Sequence, residues 1–275
     1  MGKKIILTGA TSGIGKALAL KLIEEGHVVY ATGRSLDKLN SLKEEARSER
    51  LIPVKMDFTS FKDINNTLKK LLTPSFSVDI LINNAAATSA KKIITEDGFE
   101  MQIQVNHLVP VYLTTQLMPY LKASQGFVLT VASNAHKRTT FNKRALEDKT
   151  MYRIFKRYQE TKLYNLMMTM YFKKAYADSG VDFYAIHPGL VKTDLGSKNA
   201  SKIVDIAWKL FNRRGMEPQG PIPTFLKVIN ERPQQGTYFA YEAIEPYLPV
   251  VDDADKQQQL MEYSYHVLKL EKPNA

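Results

Sequence analysis

Short apolar runs rich in β-branched residues alternate with amphipathic stretches along most of the chain. The apolar runs have the length of strands and the amphipathic stretches have helical spacing. Strands are predicted at 3–8, 27–32, 51–57, 78–83, 126–132, 181–187 and 236–241, and helices at 14–25, 36–47, 60–72, 97–122, 151–178 and 221–231, with a helix-like stretch at 253–270. Because helix-length connections separate the strands, we predict an α/β fold: a doubly wound, Rossmann-type parallel sheet of about seven strands flanked by helices.

The composition narrows the class of protein further. A length of 275 residues with 44% hydrophobic content suits a single domain, 1–275, with a full core. No apolar run reaches the roughly 18 to 20 residues of a membrane helix. The chain has no cysteine, which excludes a disulfide framework, a thiolate nucleophile and a Cys-ligated zinc site. We therefore expect a soluble protein without a metal site, and the cytoplasm is its default location.

The positive charge of the chain is concentrated in one segment. The formal net charge is +10, and residues 134–162 contain nine Lys or Arg against three acidic residues. No zinc-finger or basic-zipper pattern accompanies this segment, so we expect no nucleic-acid partner. A solvated surface is the simplest interpretation. Attraction of an anionic cofactor and peripheral contact with an anionic membrane are the two alternatives.

Three glycines follow the first predicted strand, within Thr-Gly-Ala-Thr-Ser-Gly-Ile-Gly from Thr8 to Gly15. Where a strand ends and a helix begins, backbone N–H groups and the helix dipole converge, and both stabilise an anion. Glycine permits the turn and lets a pyrophosphate approach the backbone closely. The turn therefore predicts a dinucleotide site, with candidate contacts at Gly9, Thr11, Ser12, Gly13, Ile14 and Gly15.

The second strand ends without the acidic residue that usually binds the ribose 2′-hydroxyl of NAD. Arg34 lies there instead, followed by Ser35 and Lys38. A guanidinium can bind a 2′-phosphate through two hydrogen bonds, so we predict NADP(H) as the cofactor. At the end of the third strand, Asp57 is a candidate for binding the adenine amino group, with Phe58 beside it. A turn-forming role is the alternative for Asp57.

Tyr158 and Lys162 lie four residues apart in a predicted helix, so their side chains share one face. A nearby ammonium favours phenolate, and we expect Lys162 to lower the pKa of Tyr158 toward neutrality. Ser133 follows the fifth strand, at the edge of a parallel sheet where ligands bind. Its hydroxyl can donate to a substrate oxygen while Tyr158 exchanges the proton.

Asn106 lies in the long helix predicted at 97–122, and Pro110 follows four positions later. Proline has no N–H, so the usual helical hydrogen bond to the carbonyl of Asn106 cannot form. We expect a kink and a free carbonyl that binds a water molecule, linking Lys162 to solvent in a proton relay. A kink that serves packing alone is the alternative.

The ordered set of these stretches resembles the short-chain dehydrogenase/reductase family over nearly the whole chain. The resemblance also includes Asn83-Asn84-Ala85 and the stretch from His187 to Thr193. It implies that Ser133, Tyr158, Lys162 and Asn106 form the catalytic tetrad, with Tyr158 as the acid/base. It further implies cofactor contacts from Asn84, Ala85, Tyr158, Lys162, Pro188, Gly189, Val191 and Thr193. The chain departs from the family at Ala86, where glycine is common.

Ser133 and Tyr158 are separated by 25 residues, about twice the usual distance in the family. The long gap, and the stretch Gly-x-Tyr-Phe at 236–239, are similar to the retinol dehydrogenase-like branch. That resemblance implies NADP(H) chemistry on apolar aldehydes, retinoids and sterols. Neighbouring members of the family often dimerise through the two long helices, so the resemblance also implies a possible homodimer.

After the sixth strand the pattern loosens, and we expect a lid over the substrate at about 190–225. This stretch is rich in apolar residues, which favours an apolar substrate. Completion of the core and contact with a membrane surface are the alternatives for it. The leading functional prediction is an NADP(H)-dependent oxidoreductase acting on an apolar carbonyl or alcohol, with reduction favoured. The alternatives are an oxidative steroid-type or biosynthetic alcohol dehydrogenase, and a catalytically silent NADP(H) sensor.

Overall fold

A computed structural model of the protein describes residues 2–147, 152–192 and 215–273. The strands in this part of the chain are β1 Lys4–Leu7, β2 Val28–Gly33, β3 Leu51–Lys55, β4 Ile80–Asn83, β5 Phe127–Val131, β6 Asp182–Ile186, β7 Tyr238–Ala240 and β8 Ala243–Ile244. They form one sheet in the order β3-β2-β1-β4-β5-β6-β7-β8. All neighbours are parallel except β7 and β8, which form a hairpin. The predicted fold class is confirmed, and the hairpin strand β8 is too short for a sequence pattern to indicate it.

Helices cover both faces of this sheet. Their bounds are α1 Gly13–Glu24, α2 Leu36–Ala46, α3 Phe61–Leu71, α4 Met101–Ile103, α5 Val109–Ala123, α6 Lys143–Leu146, α7 Ile154–Ala175, α8 Ile222–Glu231 and α9 Ala254–Leu268. Within the described ranges, no helix combines the length and the apolar character needed to cross a membrane.

The helix predicted at 97–122 is interrupted, and in this detail the prediction was wrong. Residues Gln104–Leu108 form a π turn between α4 and α5, in which the N–H of Val109 donates to the carbonyl of Gln104 five residues earlier. Pro110 cannot donate to the carbonyl four residues before it, and a wider turn accommodates the missing bond. The π turn carries Asn106.

The core lies on both faces of the central strands β4 and β5, all of whose residues are buried. On one face, Leu22 of α1 and Phe225 of α8 belong to one apolar cluster. On the other face, Leu117 of α5 and Phe172 of α7 belong to a second cluster, which Tyr265 of α9 completes. Burial on both faces explains why these strands are continuous apolar runs rather than alternating ones.

The carboxyl ends of β1, β4, β5 and β6 meet along one edge of the sheet. Strand β1 pairs with β2 on one side and with β4 on the other, so the direction of winding reverses between β1 and β4. A crevice at such a reversal is where ligands bind in open α/β sheets. The glycine turn follows β1, Asn84 follows β4, Ser133 follows β5 and Pro188 follows β6, so the topology brings the predicted site together.

Candidate active site

The glycine turn after β1 requires glycine for two reasons. Gly9 and Gly13 have φ angles of 68° and 54°, in the left-handed region that favours glycine. A Cβ on Gly15 would lie 2.1 Å from the carbonyl oxygen of Gly9. The first turn of α1 has no acidic residue, and the hydroxyl of its N-cap residue, Ser12, does not cap the helix. The first turn of α1 therefore has backbone N–H donors without a side-chain cap, which an anion site at a helix start requires.

Asn84 and Ala85 hold this turn against the end of β4. The Asn84 side-chain amide donates to the carbonyl of Thr8 at 2.8 Å and to that of Gly9 at 3.2 Å. The backbone N–H groups of Asn84 and Ala85 each donate to the Thr8 hydroxyl at 2.9 Å. Asn84 thus has a structural role that sequence reasoning missed, since its partners are more than 70 residues away along the chain.

Arg34 and Lys38 lie exposed beyond β2, close to the glycine turn. Gly33 approaches the turn so closely that a Cβ on it would lie 2.7 Å from the Thr11 methyl group. In the part of the chain that the structure describes, neither Arg34 nor Lys38 takes part in a salt bridge. The Ser35 hydroxyl accepts from the N–H of Lys38 at 3.3 Å and caps α2. Two cations therefore flank this end of the crevice.

Asp57 forms a turn, which was the alternative interpretation. Its carboxylate accepts from the N–H of Thr59 at 2.9 Å and from the Thr59 hydroxyl at 2.7 Å. The side chain of Phe58 is buried in the core, and its carbonyl accepts from the side-chain amide of Gln104 at 3.2 Å. The structure therefore gives both residues a role in the chain's own packing after β3.

Lys162 projects from α7 into the protein and is buried. Its ammonium donates to the carbonyl of Val131 at 2.7 Å and lies 5.5 Å from the centroid of the Tyr158 ring. Burial lowers the pKa of Lys162 to about 8. The four-residue spacing thus brings the cation and the phenol together, as predicted.

The predicted effect of Lys162 on Tyr158 was wrong. Burial raises the pKa of Tyr158 to about 12, and a hydrogen bond with the Ser133 side chain opposes that rise. The Lys162 ammonium makes its hydrogen bond to Val131, so the removal of the phenol from water dominates. The groups of this chain thus keep Tyr158 protonated at neutral pH.

Ser133 adopts an extended backbone and caps a 3₁₀ turn, Asn134–Arg138. Its hydroxyl accepts from the N–H of Ala135 at 3.1 Å, and its carbonyl accepts from the N–H of His136 at 3.1 Å. The hydroxyl also contacts Tyr158, as described above. Because the bond from Ala135 uses a lone pair, the hydroxyl proton remains free to be donated.

The side chain of Asn106 joins the loop after β4 to helix α7. Its oxygen accepts from the N–H of Ala87 at 2.7 Å, and its amide donates to the Ala87 carbonyl at 3.0 Å. The amide also contacts the Thr161 hydroxyl at 3.3 Å, and that hydroxyl donates to the carbonyl of Tyr158 at 2.9 Å. Asn106 therefore lies next to the Tyr158 helix turn, and Ala87 and Thr161 are partners that the sequence did not indicate.

The loop after β6 places Gly189 against two large side chains. Gly189 has a φ angle of 79°, and a Cβ on it would lie 2.9 Å from the Met216 methyl group and 3.0 Å from the Tyr241 hydroxyl. Val191 forms a parallel bridge with Met216. Pro188 lies between this loop and β6, whereas Thr193 and most of the predicted lid, 193–214, lie outside the described residues.

The basic segment 134–162 is not a uniformly solvated surface, which corrects the simplest interpretation of its charge. Arg157 is buried, and its guanidinium lies 3.5 Å from Glu100 and 3.0 Å from Glu160. It also donates to the carbonyl of Ala145 at 2.7 Å. Burial raises the pKa of Glu100, with two backbone hydrogen bonds opposing the rise. This cluster joins the segment between Ser133 and Tyr158, through Ala145, to the start of helix α4.

Known proteins resemble this chain over most of its length. A profile of the short chain dehydrogenase family matches residues 3–203. Retinol dehydrogenase 13 of Homo sapiens is 31% identical over 289 residues, covering 100% of this chain and 87% of that protein.

Two solved structures show the same fold. An uncharacterised protein from Mycobacterium paratuberculosis has a TM-score of 0.74 at 22% identity, covering 99% of this chain and 95% of that one. A short-chain dehydrogenase from Sphingobium yanoikuyae in complex with NADPH has a TM-score of 0.68 at 19% identity, covering 99% and 98%. From the family match, the human relative and the arrangement of the site, the chain belongs to the short-chain dehydrogenase/reductase family of oxidoreductases, in its retinol dehydrogenase-like branch.

Proposed function

We propose that the protein is an NADP(H)-dependent oxidoreductase that transfers a hydride between nicotinamide and an apolar carbonyl or alcohol, with reduction favoured. The observation that carries this proposal is the buried Lys162 ammonium 5.5 Å from the centroid of the Tyr158 ring, at the carboxyl end of β5, where Ser133 also lies and its side chain opposes the rise in the pKa of Tyr158. Asn106, in the π turn, contacts the helix turn of Tyr158 through the Thr161 hydroxyl. A silent sensor has no need for this arrangement.

The glycine turn and the loops beside it fit a dinucleotide. A pyrophosphate needs close approach to backbone N–H groups, and Gly15 lies where a Cβ would meet the backbone of Gly9. Gly9, Thr11, Ser12, Gly13, Ile14 and Gly15 would hold the pyrophosphate, and Asn84, Ala85, Pro188, Gly189, Val191 and Thr193 would border the nicotinamide half. The bound nicotinamide would supply or accept the hydride.

The chain's own side chains would manage the proton. During reduction, the Ser133 hydroxyl donates a hydrogen bond to the substrate oxygen and polarises the carbonyl. The Tyr158 O–H bond breaks as that oxygen gains the proton, and the Lys162 ammonium stabilises the phenolate that remains. The carbonyl of Asn106, which Pro110 cannot engage, would bind a water that restores the proton.

NADP(H) rather than NAD(H) is supported by the cations beyond β2. Arg34 and Lys38 are exposed beside the glycine turn, where a 2′-phosphate would lie. The Sphingobium yanoikuyae relative was solved with NADPH. Asp57 would accept from the adenine amino group through Oδ2, because both bonds from Thr59 go to Oδ1, and Phe58 would contribute through the shape of the adenine pocket.

An apolar substrate is supported by the side chains around Gly189 and Tyr158. Met216 and Tyr241 flank Gly189, and the Tyr241 ring is exposed. Phe155 lies three residues before Tyr158 on α7, hence on the same helix face, and is also partly exposed. The human relative is a retinol dehydrogenase by name, so retinal belongs in the substrate panel.

The test of the reaction is NADPH oxidation by the purified protein with small to bulky apolar aldehydes and ketones, retinal included. Tyr158→Phe should lower kcat by at least about 100-fold, because a positioned general acid contributes about that much or more. Tyr171→Phe, on the same helix, is the control and should match the wild type. Equal turnover in Tyr158→Phe and wild type would remove Tyr158 from the mechanism.

The test of the cofactor is the dissociation constant of NADPH compared with that of NADH. Tighter binding of NADPH is expected, and Arg34→Ser should weaken NADPH by about 10-fold or more while leaving NADH unchanged. Arg50→Ser is the control, because this exposed arginine precedes β3 and lies at the amino ends of the strands, away from the carboxyl ends that carry the site. Equal affinities of the wild type for the two cofactors would refute NADP(H) preference.

A further inference from the structure

The turn that follows Ser133 is fastened to the hairpin formed by β7 and β8. Asn134 donates from its side-chain amide to the Glu245 carboxylate at 3.0 Å, and Lys137 pairs with the same carboxylate oxygen at 2.8 Å. The Tyr238 hydroxyl donates to the Asn134 side-chain oxygen at 3.3 Å. Polar residues immediately after Ser133 therefore contact a hairpin that lies about 100 residues later in the chain.

His136, in the turn that follows Ser133, is buried. Its side chain has no exposed surface, and its ring packs edge-on against the Tyr238 ring with centroids 5.7 Å apart. Its Nδ1 lies 2.7 Å from the carbonyl oxygen of Ser133. A carbonyl only accepts, so Nδ1 carries the proton and donates. Among the described residues, Nε2 has no hydrogen-bond partner, which fits a neutral ring with its single proton on Nδ1.

The Ser133 carbonyl therefore receives two bonds from one residue, from the backbone N–H and from the ring of His136. These bonds fix the peptide plane after Ser133 and, through it, the direction of the Cβ and hydroxyl. The hydroxyl must meet Tyr158 on a separate helix, α7, so a small rotation of the Ser133 backbone would break that contact. Displacements of about 1 Å at a reacting group can cost about 100-fold in rate.

We propose that His136 is a positioning residue that fixes Ser133 against the β7–β8 hairpin and so aims its hydroxyl at Tyr158. The inference rests on the proposed function, because it assigns Ser133 a part in proton and substrate handling. It adds that the carboxy-terminal hairpin, through Tyr238 and Glu245, is required for the geometry of the catalytic serine.

The test compares His136→Leu with His136→Asn. Leucine fills similar volume without a donor, whereas the asparagine amide nitrogen can replace Nδ1 as the donor to the Ser133 carbonyl. His136→Leu should lower kcat by at least about 10-fold with an unchanged dissociation constant for NADPH, and His136→Asn should recover to within about 3-fold of wild type. Arg138→Met, which changes an exposed cation of the same turn that the argument does not use, should stay within about 2-fold.

Crystal structures of the two His136 variants provide a readout that does not depend on turnover. The contact between Ser133 and Tyr158 should be lost in His136→Leu and kept in His136→Asn. Equal kcat values and an intact Ser133–Tyr158 contact in both variants would overturn the inference while leaving the oxidoreductase proposal standing. If the wild type reduces no carbonyl at all, the proposed function fails, and the structures of the variants still decide whether His136 positions Ser133.

Discussion

The buried imidazole of His107 should make the folded protein lose stability in mild acid. His107 lies in the π turn beside Asn106 and has no exposed surface. Its Nε2 lies 2.9 Å from the hydroxyl of Ser264 on α9, and that hydroxyl donates to the Leu260 carbonyl at 2.9 Å. The ring is therefore the donor to Ser264, and it is neutral. Burial lowers the pKa of His107 to about 3.

The magnitude follows from the difference between the two pKa values. The ordinary pKa is 6.5, so the fold favours the neutral ring, and the stabilisation is complete above that pH. It is lost as the pH falls from 6.5 toward 3, because the unfolded chain then binds a proton that the folded chain does not. Each pH unit is worth about 1.36 kcal/mol, so the loss at about pH 5 is about 2 kcal/mol.

The assay is urea unfolding at about pH 7.5 and about pH 5, for the wild type and for His107→Gln. The glutamine amide can still donate to Ser264 but cannot titrate, so the variant should lose about 2 kcal/mol less than the wild type between the two pH values. Burial also lowers the pKa of His187, to about 4, and the comparison cancels that contribution. His266→Gln, exposed on α9, is the control. An equal loss in His107→Gln and wild type would refute the reasoning.

Two further predictions concern the glycine turn after β1 and the buried cluster around Arg157. Gly15→Ala should weaken NADPH binding by about 5- to 150-fold in a fluorescence titration. The new Cβ would lie 2.1 Å from the Gly9 carbonyl oxygen, and such overpacking costs about 1–3 kcal/mol. Unchanged affinity would contradict the close approach of Gly15 to Gly9. Arg157→Met should lower the free energy of unfolding by about 3–5 kcal/mol, since it removes a buried cation that lies beside the buried carboxylates of Glu100 and Glu160. Arg153→Met, at an exposed position, should change it by less than about 0.5 kcal/mol, and a similar small change in Arg157→Met would show that the buried cluster contributes little.

Several parts of the site could be predicted because their cause is local in sequence. Tyr158 and Lys162 share a face through helical spacing alone, and the glycines at 9, 13 and 15 report a backbone geometry that other residues rarely adopt. Pro110 shows from its chemistry that the Asn106 carbonyl loses its usual partner. The conformation that accommodates the missing bond was not visible, because a kink and a π turn are both compatible with a proline that has no N–H.

Other parts depended on burial or on distant partners. The pKa of Tyr158 was predicted to fall and instead rises, because desolvation depends on the atoms that surround the phenol and not on the residue four positions away. The charge of residues 134–162 suggested a solvated surface, but Arg157 meets Glu100, which lies 57 residues earlier. The hairpin that fastens Ser133 was also missed, because strand β8 has only two residues.

By itself, the sequence determined the α/β architecture, the order of the strands and helices, the glycines of the turn after β1 and the shared helix face of Tyr158 and Lys162. These follow from hydrophobic periodicity, from the backbone freedom of glycine and from spacing along one helix, all of which act within a few residues. Only the tertiary structure decided which carbonyl binds Lys162, which way the pKa of Tyr158 moves and what aims Ser133. Those properties depend on side chains and carbonyl groups that are far apart in the sequence and that the crossovers between strands bring together. They also depend on how far the packing around these groups excludes water.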